Sequence, residues 1–358
     1  MELLLFAVIF ILLAVLQSIL MRHFGLRRFS YRRAFSRESV YAGESLEFVE
    51  VIRNQGFLFL PWVRLETRIP TSFEFRTREE VDVRGNNYLK SVFTLMPFSQ
   101  VTRRHRVKTG QRGHFVLAGA SLTAGDLLGM RLEQKEIEAR AELFVYPALL
   151  RDVDGLFPAS RAQGDVSVPR WIQPDPFLIN GIRGYQAGDP QRDIHWAATA
   201  RTGELQVKTH DFTVDSRLMV LINVQKTEEQ WGDLMDYETA RIEYAISLAA
   251  SLCMQALSRG QDAGFAANMP LDEEEECACL LPERGAGRED VLLRAFSRLR
   301  IRRVLTFPTF LEALPRMPDT DIVILSCYDS ETIQTRMQWM RSPGGSVTLH
   351  ILPEAPYA

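Results

Sequence analysis

The side chains best suited to chemistry lie in one dense polar stretch near the middle of the chain. Asp189, Asp193 and His195 are close together in sequence, and carboxylates and imidazoles serve as general acids and bases. A hydrolase using these three groups is therefore one hypothesis. However, the sequence contains no Ser or Cys in an elbow-type nucleophile motif and no phosphate-binding loop. We therefore favour a structural or partner-binding network and predict that the protein is not an enzyme.

The same stretch predicts a turn that leads into a helix. Asp189 suits the N-cap, because its carboxylate accepts hydrogen bonds from the first free backbone N–H groups, and Pro190 suits the first helical position. We expect a hydrogen-bonded network of four residues, which are Arg183, Asp189, Arg192 and His195.

The elements that follow this stretch indicate an α/β domain over residues 217–358. The runs 218–222 and 321–325 are continuously apolar, which is typical of strands buried on both faces. Residues 237–259 carry apolar side chains at helical spacing. This alternation predicts a parallel sheet with helices on both faces.

The elements before the polar stretch indicate an all-β domain over residues 36–148, joined to the α/β domain by a connector over 149–216. Short segments of alternating polarity are separated by turn signals, which favours an Ig-like β-sandwich. Basic residues cluster between 103 and 112. They could contact anionic lipid or form a solvated outer strand face, and we favour the solvated face.

The first residues are almost entirely apolar. Gln17 and Ser18 are the only polar side chains between residues 3 and 21, and a helix of that length spans about 28 Å. We predict a transmembrane helix over 1–21 and a basic juxtamembrane segment over 22–35. A cleaved signal peptide is the alternative, but it would carry its positive charge before the apolar run. The positive-inside rule then predicts a single-pass protein of the cell membrane, with the bulk of the chain cytoplasmic.

Cysteine content and net charge narrow the possible ligands. The chain has 4 cysteines, too few for a disulfide framework in a body of this size. Cys277 and Cys279 could suggest a metal clip, but the spacing and the lack of a second pair favour two residues on one strand face. The net charge is −3, so we expect no nucleic-acid partner.

Residues 179–208 resemble the signature of the domain of unknown function 58 family, a bacterial family. That signature has the form Arg-x-Tyr-x-x-Gly-Asp-x-x-Arg-x-Ile-x-Trp, followed by Ala-Arg-x-Gly-x-Leu-x-Val-Lys. The matching positions are Arg183, Tyr185, Gly188, Asp189, Arg192, Ile194, Trp196, Ala200, Arg201, Gly203, Leu205, Val207 and Lys208. The resemblance implies that the C-terminal domain has the von Willebrand factor A fold. It also implies that the polar and aromatic residues of the signature, together with His195, bind a partner or stabilise the fold.

Domains of the von Willebrand A kind usually bind a divalent cation through Asp-x-Ser-x-Ser after the first strand. At the matching position this chain has Asn223, Gln225 and Thr227, with Lys226 between them. Neutral amides compete poorly with the hydration shell of Mg²⁺. We therefore expect a degenerate site without metal, in which Asn223 hydrogen-bonds at the strand end, and we expect no cofactor.

Family resemblance also implies a function. Members are commonly encoded beside MoxR-type AAA+ ATPases and transglutaminase-like membrane proteins. The resemblance therefore implies a scaffold or adaptor at the cytoplasmic face of a membrane. Its expected partners are the membrane, a MoxR-type AAA+ ATPase and other membrane proteins, in the assembly or maturation of a membrane or envelope complex.

Overall fold

A computed structural model describes most of the chain after residue 25. The described residues are 5, 6, 8–12, 15, 16, 19, 20, 26–75, 81–82, 88–125, 132–151, 153–156, 179–186, 189, 191–210, 217–230, 232, 234–235, 238–342 and 344–354. Strands account for more of this part than helices do.

The predicted fold class is wrong in its first element. Among the described residues, no helix has the length and the apolar character needed to cross a membrane. The prediction for 1–21 rested on the composition of the run and on its basic flank, whereas a span requires an apolar helix of about 20 residues. The described large apolar side chains between residues 5 and 19 are each 47–71% exposed.

The first body contains ten strands in two sheets. They are β1 (Phe29–Phe35), β2 (Ser39–Tyr41), β3 (Ser45–Asn54), β4 (Leu60–Arg68), β5 (Phe73–Phe75), β6 (Val81–Asp82), β7 (Tyr88–Leu95), β8 (Gln100–Thr109), β9 (Gly113–Gly125) and β10 (Leu132–Tyr146). One sheet has the order β1-β3-β8-β5 and the other β2-β10-β9-β4-β7-β6. Neighbouring strands are antiparallel except for the parallel pair β2 and β10.

Alternating burial along these strands creates the core between the two sheets. In β3, Leu46 and Phe48 point inward, while Glu47 between them is exposed, as the two-residue period of a strand requires. Inward residues of the first sheet, such as Leu46 and Phe48, pack in one cluster with Leu117 and Leu143 of the second. Ile52 packs in another cluster with Leu122. The two sheets therefore pack face to face as a sandwich.

The first strand of the sandwich lies where the sequence predicted a basic juxtamembrane segment. Arg33 on β1 is only 6% exposed, because its guanidinium is fully engaged inside the sandwich. It donates to the Ala139 carbonyl (2.6 Å), the Gly119 carbonyl (3.0 Å) and the Thr67 hydroxyl (3.1 Å). Arg33, one of several arginines in the segment predicted to flank the membrane, is thus a core residue of the sandwich.

The basic run between 103 and 112 is also divided by strand alternation. Arg104, Arg106 and Lys108 on β8 are exposed, whereas His105 is buried. The His105 Nε2 atom lies 3.0 Å from Oε2 of Glu50, and the Tyr31 hydroxyl donates to the other oxygen of Glu50. We call Tyr31, Glu50 and His105 the Glu50 network; it links β1, β3 and β8.

The second body is a five-stranded sheet covered by helices on both faces. Its strands are β13 (Arg217–Ile222), β14 (Asp262–Ala267), β15 (Cys279–Glu283), β16 (Thr320–Ser326) and β17 (Val347–Ile351), in the order β15-β14-β13-β16-β17. Four of them are mutually parallel. The sheet is mixed rather than parallel as predicted, because β15 pairs antiparallel with β14 at the edge.

Each face of this sheet has its own helices and its own apolar cluster. Helices α2 (Thr239–Ser258) and α3 (Arg288–Arg298) cover one face, where Phe265 stacks on Phe296. Helices α4 (Phe307–Ala313) and α5 (Glu331–Met340) cover the other. The central strand β13 contributes to both clusters, which explains why its sequence is apolar at every position after Arg217.

The two bodies meet at Arg112, in the turn between β8 and β9. Its side chain is only 4% exposed and its Nε atom donates to Glu243 at 2.7 Å. Its Nη1 atom donates to the carbonyl oxygens of Phe296 (2.9 Å) and Leu299 (2.8 Å) at the end of α3. Nearby, the Tyr146 hydroxyl donates to Asp290 at 2.5 Å. A buried cation from the sandwich therefore holds the α/β body in place.

Candidate functional site

The polar stretch singled out from the sequence forms a small separate unit. Strand β11 (Ile179–Gly184) pairs antiparallel with β12 (Gln206–His210), and helix α1 (Trp196–Thr202) lies between them in sequence. Ile194 bridges to Val207, and both are buried. The unit has little other core within the described residues, since α1 contains no buried side chain.

Arg183 and Asp189 form a two-pronged ion pair in this unit. Arg183 Nη1 donates to Asp189 Oδ2 and Nη2 donates to Oδ1, each at 2.7 Å. The Gln186 backbone N–H also donates to Asp189 Oδ2, at 2.8 Å. The Arg183 hydrogen bonds, then the Gln186 N–H, lower the pKa of Asp189 to about 2. Asp189 is therefore a firmly ionised acceptor whose oxygens are already engaged.

His195, and not Asp189, caps the helix. Its Nδ1 atom accepts a hydrogen bond from the Ala198 N–H at 3.1 Å, and the backbone N–H of His195 donates to the Gln206 carbonyl at 2.8 Å. The sequence prediction of Asp189 as the N-cap is wrong, because Asp189 turns back to Arg183 and a short 3-10 turn over 191–193 separates it from α1. An accepting Nδ1 carries no proton, so the proton of neutral His195 is on Nε2.

The four-residue network predicted from the sequence is therefore only partly assembled. Arg183 and Asp189 are bonded to each other, whereas His195 bonds to the helix backbone. Within the described residues, no hydrogen bond joins His195 to Asp189 or Asp193. Gly188 and the side chain of Arg192 lie outside the described part of the chain.

Large apolar side chains of the unit face solvent. We call Ile182, Tyr185, Trp196 and Leu205 the signature patch; they are 48%, 39%, 67% and 44% exposed. Tyr185 and Leu205 are neighbours, because the Tyr185 N–H donates to the Leu205 carbonyl at 2.9 Å. Tyr185 and Trp196 are signature positions that were recognisable from the sequence, whereas no motif marks Ile182, which lies opposite Lys208.

Two cationic signature residues lie on α1 and β12. Arg201 is exposed in the last turn of α1, where a cation suits the helix C-terminus. Lys208 is half-buried on β12, opposite Ile182.

The position of the degenerate metal site is filled by an amide cluster. Asn223, Asn268 and Ser326 each follow or end one of three adjacent parallel strands, and all are fully buried. Asn223 donates to the Ser326 hydroxyl at 3.1 Å, and its Oδ1 atom accepts from the Gln225 N–H at 2.9 Å. Gln225 Oε1 accepts from the Phe307 N–H at 2.6 Å.

These contacts do not fit a divalent cation. The amide oxygens that could act as ligands already accept hydrogen bonds, and no carboxylate joins them, whereas Mg²⁺ needs hard, charged oxygen ligands. Thr227 lies outside the cluster and is exposed. Cys277 and Cys279 are free thiols, and the described residues contain no group of three metal-binding side chains.

Comparison with known families agrees with the signature. Residues 181–308 match the family described as "Protein of unknown function DUF58". This part of the chain belongs to the DUF58 family. The DUF58 match includes most of the β11–β12 hairpin, helices α1 to α3, and Asn223, Gln225 and Asn268 of the amide cluster, but not Ser326. Among curated proteins, no sequence matches the chain.

Solved structures share only weak likeness with the chain. The CARDB domain of a Pyrococcus furiosus protein is 14% identical over 33% of this chain and 89% of that chain, with a TM-score of 0.22. A non-cellulosomal cohesin from Archaeoglobus fulgidus is 10% identical over 32% and 91%, with a TM-score of 0.23. The bacterial hydrophobin BslA is 9% identical over 33% and 92%, with a TM-score of 0.22. Scores of this size do not establish a shared fold.

Proposed function

We propose that the protein is a non-enzymatic scaffold that binds another protein through the signature patch. The observation that carries this proposal is the exposure of Trp196, which is 67% exposed at the start of a helix without buried residues. Apolar side chains clustered on a small unit are typical of interaction sites. Tyr, Trp and Arg are the residues most often found at interface hot spots.

The polar contacts of the unit support binding rather than hydrolysis. Asp189 is occupied by Arg183 and by a backbone N–H, and the Nδ1 atom of His195 is occupied by the helix cap. A general base needs a free acceptor within reach of the substrate proton. The pair that would act in a hydrolase is therefore committed to local structure, and it holds the patch in shape.

A MoxR-type AAA+ ATPase is the partner that we propose. The DUF58 resemblance supplies this candidate, and the sequence has no phosphate-binding loop of its own, so energy for remodelling would come from the partner. In this role the protein would connect the ATPase to a client in the assembly or maturation of a membrane or envelope complex.

The test compares two exposed tryptophans. Trp196→Ala should weaken binding of a purified MoxR-type ATPase by about 30-fold or more, the effect of losing a hot spot of about 2 kcal/mol. Trp339→Ala is the matched control, because Trp339 is 73% exposed and lies on α5 of the α/β body rather than in the unit that carries the signature patch. Binding should be measured by calorimetry with ATP, with ADP and without nucleotide.

The outcome separates binding from catalysis. Equal binding by wild type and both variants would contradict a role for the patch. A hydrolytic activity that His195→Ala abolishes, with no ATPase binding in any nucleotide state, would replace the scaffold proposal with the hydrolase.

A further inference from the structure

The outer face of the β1-β3-β8-β5 sheet carries a regular stripe of cations. Strand register places one cation in each of five successive rows across the sheet. In order along β8, the stripe consists of Arg53, Arg32, Arg104, Arg106 and Lys108. Rows on one face are two residues apart, about 7 Å, so the stripe is about 27 Å long.

The cations of this stripe are exposed and unpaired. All five side chains belong to the exposed class, and within the described part of the chain none forms an ion pair or a side-chain hydrogen bond. Two carboxylates share the face, since Glu47 lies opposite Arg106 and Glu74 opposite Lys108. The face is therefore strongly positive, although the whole chain has a net charge of −3. Such a patch attracts polyanions.

The surface beside the cations has a shallow cavity and, in its described part, no outward aromatic strand position. A shallow cavity of about 400 Å³ lies beside Arg106 and Lys108 and is also lined by Ser45, Glu74 and Phe75. None of the outward positions on the described parts of β1, β3, β5 and β8 is aromatic. Proteins that bind single-stranded nucleic acid normally use several aromatic platforms for base stacking, whereas here, among the described residues, the one aromatic side chain beside the stripe is Phe75, at the edge of the cavity.

The apolar residues at the start of the chain lie close in sequence to this face. The described side chains from 5 to 19 are 47–71% exposed, and β1 begins at Phe29, nine residues after residue 20. Nine residues span at most about 30 Å, so the apolar segment ends within that distance of β1. A basic patch and an apolar segment together give firmer membrane binding than either alone.

We propose that this stripe docks the sandwich on an anionic lipid surface. The contact is electrostatic, involves the sandwich and not the signature patch, and needs no segment that spans the bilayer. It is therefore independent of the proposed protein-binding function, and each can fail without the other.

The test uses the full chain and vesicles of phosphatidylcholine with or without phosphatidylglycerol. Phosphatidylglycerol should strengthen binding, and rising NaCl should weaken that gain. Each cation removed should weaken the gain by about 5-fold, so Arg104→Gln/Arg106→Gln should lose roughly 30-fold. The control Arg316→Gln/Arg341→Gln removes the same charge from exposed positions beyond α4 and α5 and should bind as wild type does.

Three outcomes would overturn the proposal. They are equal binding to both vesicle types, an equal loss in the control variant, or binding of single-stranded DNA that the β8 variant loses while phosphatidylglycerol has no effect. If the β8 variant melts at a lower temperature than wild type, Arg53→Gln at the far end of the stripe supplies the same comparison. Its gain from phosphatidylglycerol should fall by about 5-fold, and no fall would equally overturn the proposal.

Discussion

At the scale of single residues, hydrogen bonding decides what the polar signature can do. Asp189 is held by Arg183 through two bonds of 2.7 Å, and His195 is turned toward the Ala198 N–H. Side chains that look like an acid–base cluster in sequence therefore serve two separate local purposes. Their types were readable from the sequence, but the directions in which they point depend on the turn over 191–193.

The Arg183–Asp189 pair should be visible in an acid titration. The pKa of Asp189 is about 2 because Arg183 and the Gln186 N–H favour its charged form. A lowered folded-state pKa means that the pair stabilises the fold above about pH 4 and that this contribution disappears as the pH falls toward 2. In Arg183→Gln the Asp189 pKa should rise toward its ordinary value, as measured by the carbon chemical shift of the carboxyl group. An unchanged titration would show that the pair does not persist in solution.

The helix cap gives a second prediction at this scale. His195→Ala removes the acceptor for the Ala198 N–H and should destabilise α1 by about 0.5–2 kcal/mol, whereas His195→Asn keeps a good cap. Amide hydrogen exchange at Ala198 should be faster in the alanine variant and near wild type in the asparagine variant. Equally fast exchange in both variants would mean that a side-chain acceptor at position 195 does not protect the Ala198 N–H.

At the scale of elements, the Glu50 network fixes three strands of the sandwich. Glu50 is 1% exposed and accepts hydrogen bonds from Tyr31 on β1 and His105 on β8. A buried carboxylate is tolerated only when such partners satisfy it. Burial first, and then Glu50, raises the pKa of Tyr31, so the phenol stays a donor over the whole neutral range.

Breaking this network should cost a large part of the stability. His105→Leu would leave Glu50 buried with one partner fewer and should lower the free energy of unfolding by about 3–5 kcal/mol, as other broken buried pairs do. The exposed neighbour Arg104→Leu serves as the control and should change it by less than about 0.5 kcal/mol. Urea unfolding followed by tryptophan fluorescence measures both. Similar values for the two variants would mean that Glu50 finds a replacement partner.

Elements with a clear apolar period were predictable from the sequence, whereas those with charged interiors were not. The helix expected over 237–259 is α2 (Thr239–Ser258), and the runs 218–222 and 321–325 lie within β13 and β16. Strand β1 was missed because Arg33 points into the core, and only its contacts with Ala139, Gly119 and Thr67 explain how it can. The direction of β15 depends on pairing with β14, which no local pattern encodes.

At the scale of the whole molecule, Arg112 is one of the contacts that hold the two bodies together, along with the Tyr146–Asp290 hydrogen bond. Burial lowers the pKa of Arg112, while Glu243 acts in the opposite direction. A guanidinium suits such a position, because several N–H groups can donate in one plane. The β8–β9 turn therefore works as a fixed joint rather than a flexible linker.

Removing this cation should uncouple the two bodies. Arg112→Ala leaves two carbonyl groups without their donor, while the part-exposed Glu243 can turn to solvent, and it should cost about 1–3 kcal/mol. Calorimetry should then resolve two melting transitions in place of a single one, because each body has its own core. Arg112→Lys should give an intermediate result, since an ammonium group cannot reproduce the planar geometry. One unchanged transition in Arg112→Ala would mean that other contacts hold the bodies together.

The acceptors that Arg112 uses also determine which sequence changes at the junction of the two bodies are tolerated. Two of the three bonds of Arg112 go to main-chain oxygens, those of Phe296 and Leu299, and every amino acid provides that oxygen. Substitution at Leu299 therefore leaves the acceptor in place, even where it alters packing. A one-residue insertion or deletion in α3 would rotate the helix end by about 100° and shift it by about 1.5 Å, moving both acceptors at once. Among homologues with this joint, the length of α3 should vary far less than its composition.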